Sequence, residues 1–207
     1  RKFLEGGKRI AYGARALTAG GIQSLPKLVF PGGVLVGDDA GFLNAARIKG
    51  SHCAIKSGML AADACFDALG GERQRDELAA YPEAFRNSWL YEELHQTRNF
   101  KPWMNKGLKL GSIMFGIDQI VFGGKAPWTL HNRKADHDKL KLAAECSPIV
   151  YPKPDGVLTF DRLSSVFLSS TNHEEDQPCH LQLKDAAVPI ATNLALYDAP
   201  EQRYCPA

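Results

Sequence analysis

The clearest apolar pattern lies in the first third of the chain. An unbroken apolar run at 34–36 predicts a buried strand, and Gly37 and Asp38 follow it directly. After a loop with several small residues, a helix is predicted over 51–69, and a glycine pair beginning at Gly70 ends it. Most side chains of this helix are small, so we expect it to pack closely against a sheet.

Other regions carry helical or alternating patterns. Residues 72–100 are predicted to be helical, because large apolar side chains recur there every three or four positions. Their charged neighbours are interpreted as a solvated face: Glu92, Glu93, His95 and Arg98. A short helix is predicted over 160–170, with Thr159 or Asp161 near its N-cap. Short strands are predicted at 10–12, 180–184 and 193–197.

A second apolar stretch, residues 108–122, has a cationic and aromatic frame. The frame consists of Trp103, Lys106, Lys109, Lys125 and Trp128. Such a frame is typical of a helix that lies in the headgroup region of a bilayer. Asp118 and several glycines argue against a helix that spans the bilayer. The residues alone leave a core helix of a soluble domain as an equal alternative.

Composition excludes little. The 207-residue chain has a formal net charge of +2, so nothing indicates nucleic-acid binding. Its five cysteines are odd in number and scattered, which argues against a disulfide framework and favours a reducing compartment. The sequence shows neither an N-terminal signal pattern nor a long uncharged apolar run.

The turn after the first apolar run suits a polar or anionic ligand. Gly37 lets the backbone approach a ligand closely, and Asp38 can accept a hydrogen bond from a sugar hydroxyl. The helix start near Ser51 offers free N–H groups and the positive end of the helix dipole. This turn is therefore the strongest candidate for a binding site.

Five strings in the chain carry a family resemblance. They are YGARAL from Tyr12, GDDAGFLNAARIKGSHCAIKSGMLAAD from Gly37, YPKPDG from Tyr151, LSSVFLSSTNHEEDQPCHL from Leu163 and LYDAPEQRYCPA from Leu196. In this order they resemble electron-transfer flavoprotein–ubiquinone oxidoreductases. The GD pair with its loop and helix also resembles the second FAD-binding motif of two-dinucleotide-fold flavoproteins. Since no GxGxxG motif precedes it, the chain is expected to be a C-terminal-side fragment of a longer enzyme.

The resemblance implies a fold that mixes α/β and α+β parts. Residues 1–75 would be the C-terminal part of an FAD- and quinone-binding region, within an FAD-binding two-dinucleotide-fold domain. Residues 76–147 would be helical and would include a membrane-contact segment at 107–123. Residues 148–207 would begin a ferredoxin-like iron–sulfur domain of the 4Fe-4S type.

The resemblance also implies which residues bind FAD. Six are expected to do so: Gly37, Asp38, Asn44, Ser51, His52 and Cys53. Cys53 stands where the family has a threonine near the flavin ring, and a thiol in place of a hydroxyl is expected to shift the flavin potential. Three alternatives remain open: a turn residue at Asn44, a structural histidine at His52 and a buried, inert Cys53. No side chain is expected to be catalytic.

Cys205 is the expected metal ligand. It precedes Pro206 in EQRYCPA, a string that matches the family's first cluster cysteine. A 4Fe-4S cluster takes four thiolates in most proteins, and this chain has no CxxC pair. The remaining ligands are therefore expected after residue 207, and a buried inert thiol is the alternative for Cys205.

The implied function is that of an oxidoreductase. It would pass electrons from reduced electron-transfer flavoprotein through FAD and a 4Fe-4S cluster to ubiquinone, at a membrane surface and without nucleic acid. The implied location is peripheral, on the bacterial cytoplasmic membrane or on the matrix side of the mitochondrial inner membrane. Two alternatives are another GD-motif flavoprotein, such as a prenyl-lipid reductase, and an inactive fragment that binds membrane or partner without cofactor.

Overall fold

The computed structural model describes residues 2–71, 73, 75–179 and 181–204. Its α-helices are α1 (Gly37–Ala40), α2 (Ser51–Gly70), α3 (Ala80–Arg86), α4 (Trp89–Gln96), α5 (Phe100–Met104), α6 (Leu108–Val121), α7 (Arg162–Leu168) and α8 (Ala195–Tyr197). Strands β1 (Val29–Phe30) and β2 (Gly33–Val34) form an antiparallel hairpin. Five short 3-10 turns and a π-helical turn, Pro189–Leu194, complete the described elements. The described chain is thus mixed in class, but mainly helical with few strands.

Internal contacts divide the chain into two compact units. One unit comprises residues 17–134, and the other comprises residues 1–16 together with 135–207. The three domain ranges expected from the resemblance, 1–75, 76–147 and 148–207, stay a prediction.

The first predicted strand is shorter than expected. Of the apolar run at 34–36, only Val34 belongs to β2, where it pairs with Val29. Leu35 continues the contact beyond the strand, because its N–H donates to the carbonyl oxygen of Leu28 at 2.9 Å. The run therefore ends a small hairpin in the described structure.

Helix α2 confirms the predicted helix over 51–69. Its buried residues recur at helical spacing: Cys53, Ser57, Ala61, Ala64 and Ala68. All five are small, and α2 contacts α1, α3 and α4. Small side chains let these short elements approach the backbone of α2.

The core of the 17–134 unit is built from aromatic and aliphatic side chains around α2. Phe42 is fully buried, and its ring lies 5.0 Å from the ring of Phe85 in an edge-to-face arrangement. Tyr81 is also fully buried, and its hydroxyl donates to the carbonyl oxygen of Leu35 at 3.0 Å. Leu90 and Leu94 of α4 complete the packing. The predicted helical region 72–100 accordingly forms separate short helices, with Pro82 in the first turn of α3.

The second unit confirms one predicted helix and corrects the predicted strands. Asp161 is the N-cap of α7, since its side chain accepts a hydrogen bond from the Ser164 N–H at 2.9 Å. The strand predicted at 193–197 is wrong: Pro189–Leu194 and α8 are helical, and proline at a helix start with alanine and leucine after it favours that outcome. Residues 10–12 and 181–184 form no strand either, and His180 lies outside the described residues.

Candidate functional site

The turn between β2 and α2 requires a glycine at Gly37. Its φ is +59°, a left-handed conformation that glycine adopts without strain. A Cβ there would lie 3.3 Å from the Cβ of Ala54, so the turn passes close to α2. The Gly37 N–H donates to the Ser57 hydroxyl at 2.9 Å, and that hydroxyl donates to the Ala54 carbonyl at 2.8 Å. This buried chain of hydrogen bonds fixes the turn against the start of the helix.

Asp38 presents a polar atom to the same region. Its Oδ1 is buried and has no hydrogen-bond partner among the described residues. A Cβ on Gly50 would lie 3.0 Å from this oxygen, so Asp38 lies directly beside the residue that caps α2. A buried carboxylate oxygen without a donor costs free energy, on the order of 1–3 kcal/mol or more. Asp38 therefore offers an acceptor for a hydroxyl or amide donor supplied by a ligand.

The N-terminus of α2 offers the complementary chemistry. Gly50 supplies no side-chain cap, and the first backbone hydrogen bond of the helix is from the Ala54 N–H to the Gly50 carbonyl. The N–H groups of residues 51–53 accordingly have no partner within the helix. With the positive end of the helix dipole, they favour an anionic group. A ligand with a hydroxyl and a phosphate could therefore use both Asp38 and this helix start.

A second cluster of polar side chains centres on Glu93 of α4. Its Oε1 accepts a hydrogen bond from the Asn44 side-chain amide at 2.7 Å. The His52 Nε2 lies 3.0 Å from the same oxygen, and the Cys53 Sγ lies 3.4 Å from that nitrogen. Arg47 approaches Oε1 at 3.8 Å. Glu93 therefore joins the loop before α2 to the first turn of α2.

Local electrostatics set the charges in this cluster. Burial opposes the ionisation of Glu93, but hydrogen bonds from Asn44 and His52 and the positive charge of Arg47 outweigh it and lower the pKa of the carboxyl group. Burial, together with the nearby Glu93 charge, raises the pKa of the Cys53 thiol to about 11. Glu93 is therefore a carboxylate at neutral pH, and Cys53 is a neutral thiol rather than a reactive thiolate.

Three of these side chains also have the chemistry of metal ligands. His52, Cys53 and Glu93 each offer one ligand atom, and these atoms lie within 4.8 Å of one another. The same atoms already serve one another as hydrogen-bond partners. Their arrangement is therefore explained as a hydrogen-bonded support for the start of α2.

The six residues predicted to bind FAD all lie around the first turn of α2. Asn44 is fully buried, and it is also a turn residue, since its carbonyl accepts the Arg47 N–H. His52 is hydrogen-bonded, as its structural interpretation predicts, and Cys53 is fully buried. Their assignment to a cofactor stays a prediction, and Cys205 lies outside the described residues.

Glu93 does not lie on the predicted solvated face. Only 17% of its side chain is exposed. The buried apolar residues of α4 are Leu90, three positions before Glu93, and Leu94, one position after it. This position beside the apolar stripe was the one signal in the sequence, and it does not identify the partners of Glu93.

Arg98, also predicted to be solvated, is buried. Its guanidinium donates to the carbonyl oxygens of Gly124 and Ala126 at 2.8 and 2.6 Å, so it holds the loop after α6. Asn99 beside it donates to Asp118 Oδ2 at 2.8 Å and accepts the Leu130 N–H. These buried contacts fix α6 and its following loop to the end of α4.

Helix α6 turns its one acidic residue inward and several of its apolar residues outward. Asp118 is 1% exposed, whereas Ile113 and Ile120 are 63% and 86% exposed. Gly111 is also on the inner side, where a Cβ would lie 2.6 Å from the Trp103 carbonyl oxygen. Asp118 therefore does not interrupt the exposed apolar surface of α6. Within the described residues, no helix combines the length and apolar character needed to cross a membrane.

Comparisons with known proteins agree on one family. Residues 156–207 match the family model described as electron transfer flavoprotein-ubiquinone oxidoreductase, 4Fe-4S. The whole chain is 61% identical to the electron transfer flavoprotein-ubiquinone oxidoreductase of Pseudomonas aeruginosa, over 38% of that protein. It is 54% identical to a probable enzyme of that name from Acinetobacter baylyi, over 39% of its length. For the mitochondrial enzyme of Sus scrofa, 99% of the chain matches 34% of the protein at 53% identity. The chain thus spans under two-fifths of these relatives.

Proposed function

The chain belongs to the family of electron transfer flavoprotein-ubiquinone oxidoreductases, and we propose that it contributes to an enzyme of this activity. Electrons would come from reduced electron-transfer flavoprotein and would reach ubiquinone through FAD and a 4Fe-4S cluster. The geometric observation that carries the flavin part is the unpartnered Asp38 Oδ1 beside the uncapped start of α2. The two-dinucleotide fold and the ferredoxin-like fold expected for the complete domains belong to this proposal.

The residues around α2 fit FAD. Asp38 would lie at the ribityl or pyrophosphate region of FAD, where its carboxylate would accept a hydrogen bond from a ribityl hydroxyl. The N–H groups of residues 51–53 would face the phosphates. Gly37 keeps the turn close to the helix, and a side chain at Gly50 would fill the space beside Asp38. When bound, FAD supplies the capacity to accept and release electrons. The side chains have binding roles only.

The Glu93 cluster supports the proposed flavin site through hydrogen bonds to two of its residues. Glu93 holds the Asn44 amide and the His52 ring, so two of the proposed flavin contacts are fixed by one carboxylate. The His52 ring is also stacked on Trp89, with ring centroids 5.9 Å apart. Cys53 remains a neutral thiol, and we propose that it is a weaker hydrogen-bonding group toward the flavin than a hydroxyl would be.

Flavin content of the holoenzyme tests the Asp38 assignment. Asp38→Ala should lower the FAD content of the purified enzyme, measured from its visible absorbance per protein. Asp39→Ala is the matched control, because Asp39 is the adjacent carboxylate and is exposed. Equal FAD content and affinity in Asp38→Ala and the unmodified enzyme would remove Asp38 from the site.

We also propose that the exposed face of α6 contacts the membrane in which ubiquinone is dissolved. The enzyme would then be peripheral, on the bacterial cytoplasmic membrane or on the matrix side of the mitochondrial inner membrane. The support is a set of large apolar side chains that the described core leaves exposed: Leu108, Leu110, Ile113, Ile117, Ile120 and Val121. Burying each of them would contribute about 1.5–3 kcal/mol, enough for several to hold the helix in the interface.

Vesicle binding tests this surface. Changing Ile113, Ile117 and Ile120 together to Ser should release the holoenzyme from liposomes while its circular dichroism stays unchanged. The control changes three exposed apolar residues of the other unit to Ser: Ile149, Val150 and Leu163. Unfolding of the α6 variant, with unchanged liposome partition of its folded fraction, would assign α6 to the protein core instead.

The cluster assignment rests on residues 156–207, which match the 4Fe-4S family model. We propose Cys205 as one ligand. Of the other cysteines, Cys146 and Cys179 are exposed, Cys65 is half-buried and Cys53 is buried beside Glu93. Cys205→Ala should remove the cluster's electron paramagnetic resonance signal, whereas Cys65→Ala, Cys146→Ala and Cys179→Ala should keep it. A normal signal and iron content in Cys205→Ala would exclude this ligand.

The two alternative functions predict different spectra. A flavoprotein of another kind, such as a prenyl-lipid reductase, would show flavin bands without a broad iron–sulfur absorption. A fragment that binds a membrane or partner without cofactor would show neither. The relatives at 61% and 54% identity bear the oxidoreductase name, which favours the first proposal.

A further inference from the structure

The segment that carries the apolar face of α6 has an unusual charge balance. Between residues 101 and 134 the sequence has six lysines and arginines: Lys101, Lys106, Lys109, Lys125, Arg133 and Lys134. Its one aspartate or glutamate is Asp118. The whole chain has a net charge of only +2, so positive charge is concentrated in this segment.

The fold increases the excess of positive charge at the surface of this segment, because it buries the one acidic residue. Asp118 is 1% exposed, and it is held by the Asn99 side chain at 2.8 Å. Five of the six cationic residues are exposed, namely all except the half-buried Lys101. Among the residues that the structure describes, none of the six has a carboxylate within 4.0 Å. The charged side chains that this segment exposes are therefore all positive.

The cationic residues lie at both ends of the apolar helix. Lys106 and Lys109 lie at its start, where Lys106 approaches the Trp103 ring at 5.9 Å. Lys125 follows its end and is exposed. A helix that lies in the membrane interface places its apolar face among acyl chains and its flanking lysines at headgroup level. The charged groups that these lysines would meet there are lipid phosphates.

We propose that this surface selects anionic phospholipids, with Lys106, Lys109 and Lys125 contacting their headgroups. The inference rests on the proposed contact of α6 with the membrane and adds the chemical class of lipid. A lysine near an anionic bilayer strengthens binding by roughly fivefold, so three together give on the order of 100-fold at low salt. Salt screens this attraction but leaves apolar burial in place.

Vesicle sedimentation of the holoenzyme tests the proposal. The probes are vesicles of phosphatidylcholine alone and of phosphatidylcholine with phosphatidylglycerol, at low and at high sodium chloride concentration. We expect much stronger partition into the anionic vesicles at low salt, and a difference that falls at high salt. Lys106→Gln, Lys109→Gln and Lys125→Gln combined should remove most of the preference and leave partition into neutral vesicles unchanged.

A charge-matched control keeps the result specific. Lys141→Gln, Lys153→Gln and Lys184→Gln combined remove the same charge from exposed lysines outside the segment, and the preference should persist. Strong but equal partition into both vesicle types would overturn lipid selection and leave α6 docking intact, whereas no partition into either would overturn both. Retained preference in the 106/109/125 variant, with slower electron transfer from the flavoprotein partner, would assign these lysines to that protein and overturn the proposal.

Discussion

The two units of the chain bury their apolar side chains to different extents. Among the described residues, every buried hydrophobic side chain lies between 28 and 126, within the 17–134 unit. In the other unit, Val150 is 92% exposed and Phe167 is 83% exposed. Apolar burial is the main favourable contribution to folding, so the first unit is held by its core. The described hydrogen bonds of the second unit are mostly local, with longer-range ones from Tyr12 to Leu168 and from Arg9 to Ser165.

Those local bonds are specific. Asp155 Oδ1 accepts the N–H groups of Val157, Leu158 and Thr159 at 2.8–2.9 Å. Asp161 caps α7. A long-range contact of another kind places the Arg9 guanidinium 4.0 Å above the Phe160 ring. The local hydrogen bonds define turns and helix starts, but each contributes less than a buried aromatic side chain. The comparison shows that a similar share of apolar residues in two units does not imply a similar core.

The largest expected effect is a loss of stability on truncating a core side chain, which only the 17–134 unit should show. Leu90→Ala should lower the free energy of unfolding of the 17–134 unit by about 2–5 kcal/mol, because Leu90 is fully buried in its core. Phe167→Ala removes a larger side chain but should change stability by only about 0.5 kcal/mol, since that ring is exposed. Urea unfolding of both variants measures this. Equal losses would show that Phe167 is buried in solution and would end the contrast.

A smaller effect is expected from the polar contacts. Asn99→Ala should cost about 1–3 kcal/mol, because it leaves Asp118 and the Leu130 N–H without a buried partner. Asp161→Ala removes an exposed cap in the other unit and should alter the unfolding midpoint less. Hydrogen exchange of each variant shows whether the change stays within its own unit. A larger loss from Asp161→Ala would mean that the cap supports more than α7.

The smallest effect is a pH dependence confined to the second unit. Hydrogen bonds from the N–H of Thr159, and then of Val157 and Leu158, lower the pKa of Asp155 from 3.8 to about 2. Since the folded-state pKa is the lower one, this stabilisation is complete above the ordinary pKa and is lost as the pH falls through about 2. An NMR titration of the Asp155 carboxyl carbon measures it. A midpoint near 3.8 would show that the turn is not formed in solution.

The sequence by itself determined the helix α2, the helix α7 and the family, but not the strands. The small residues of α2 and the glycine pair after it were predicted correctly, and Asp161 is one of the two caps predicted for α7, because helix stops and caps depend on neighbouring residues. The strings shared with the oxidoreductases also identified the family that the comparisons confirm. The residues of the proposed flavin site could therefore be predicted from the sequence, whereas their contacts with one another could not.

Only the tertiary structure decided which charged residues lie inside. Glu93 meets partners 49 and 41 residues away, at Asn44 and His52, and Asp118 meets Asn99 across the α5–α6 turn. A buried charge is tolerated where distant parts of the chain supply its hydrogen bonds, and the periodicity of one helix carries no record of them. Residues 193–197 also show that a local pattern does not decide tertiary structure. Their alternation predicts a strand, but among the described residues no neighbouring strand pairs with them.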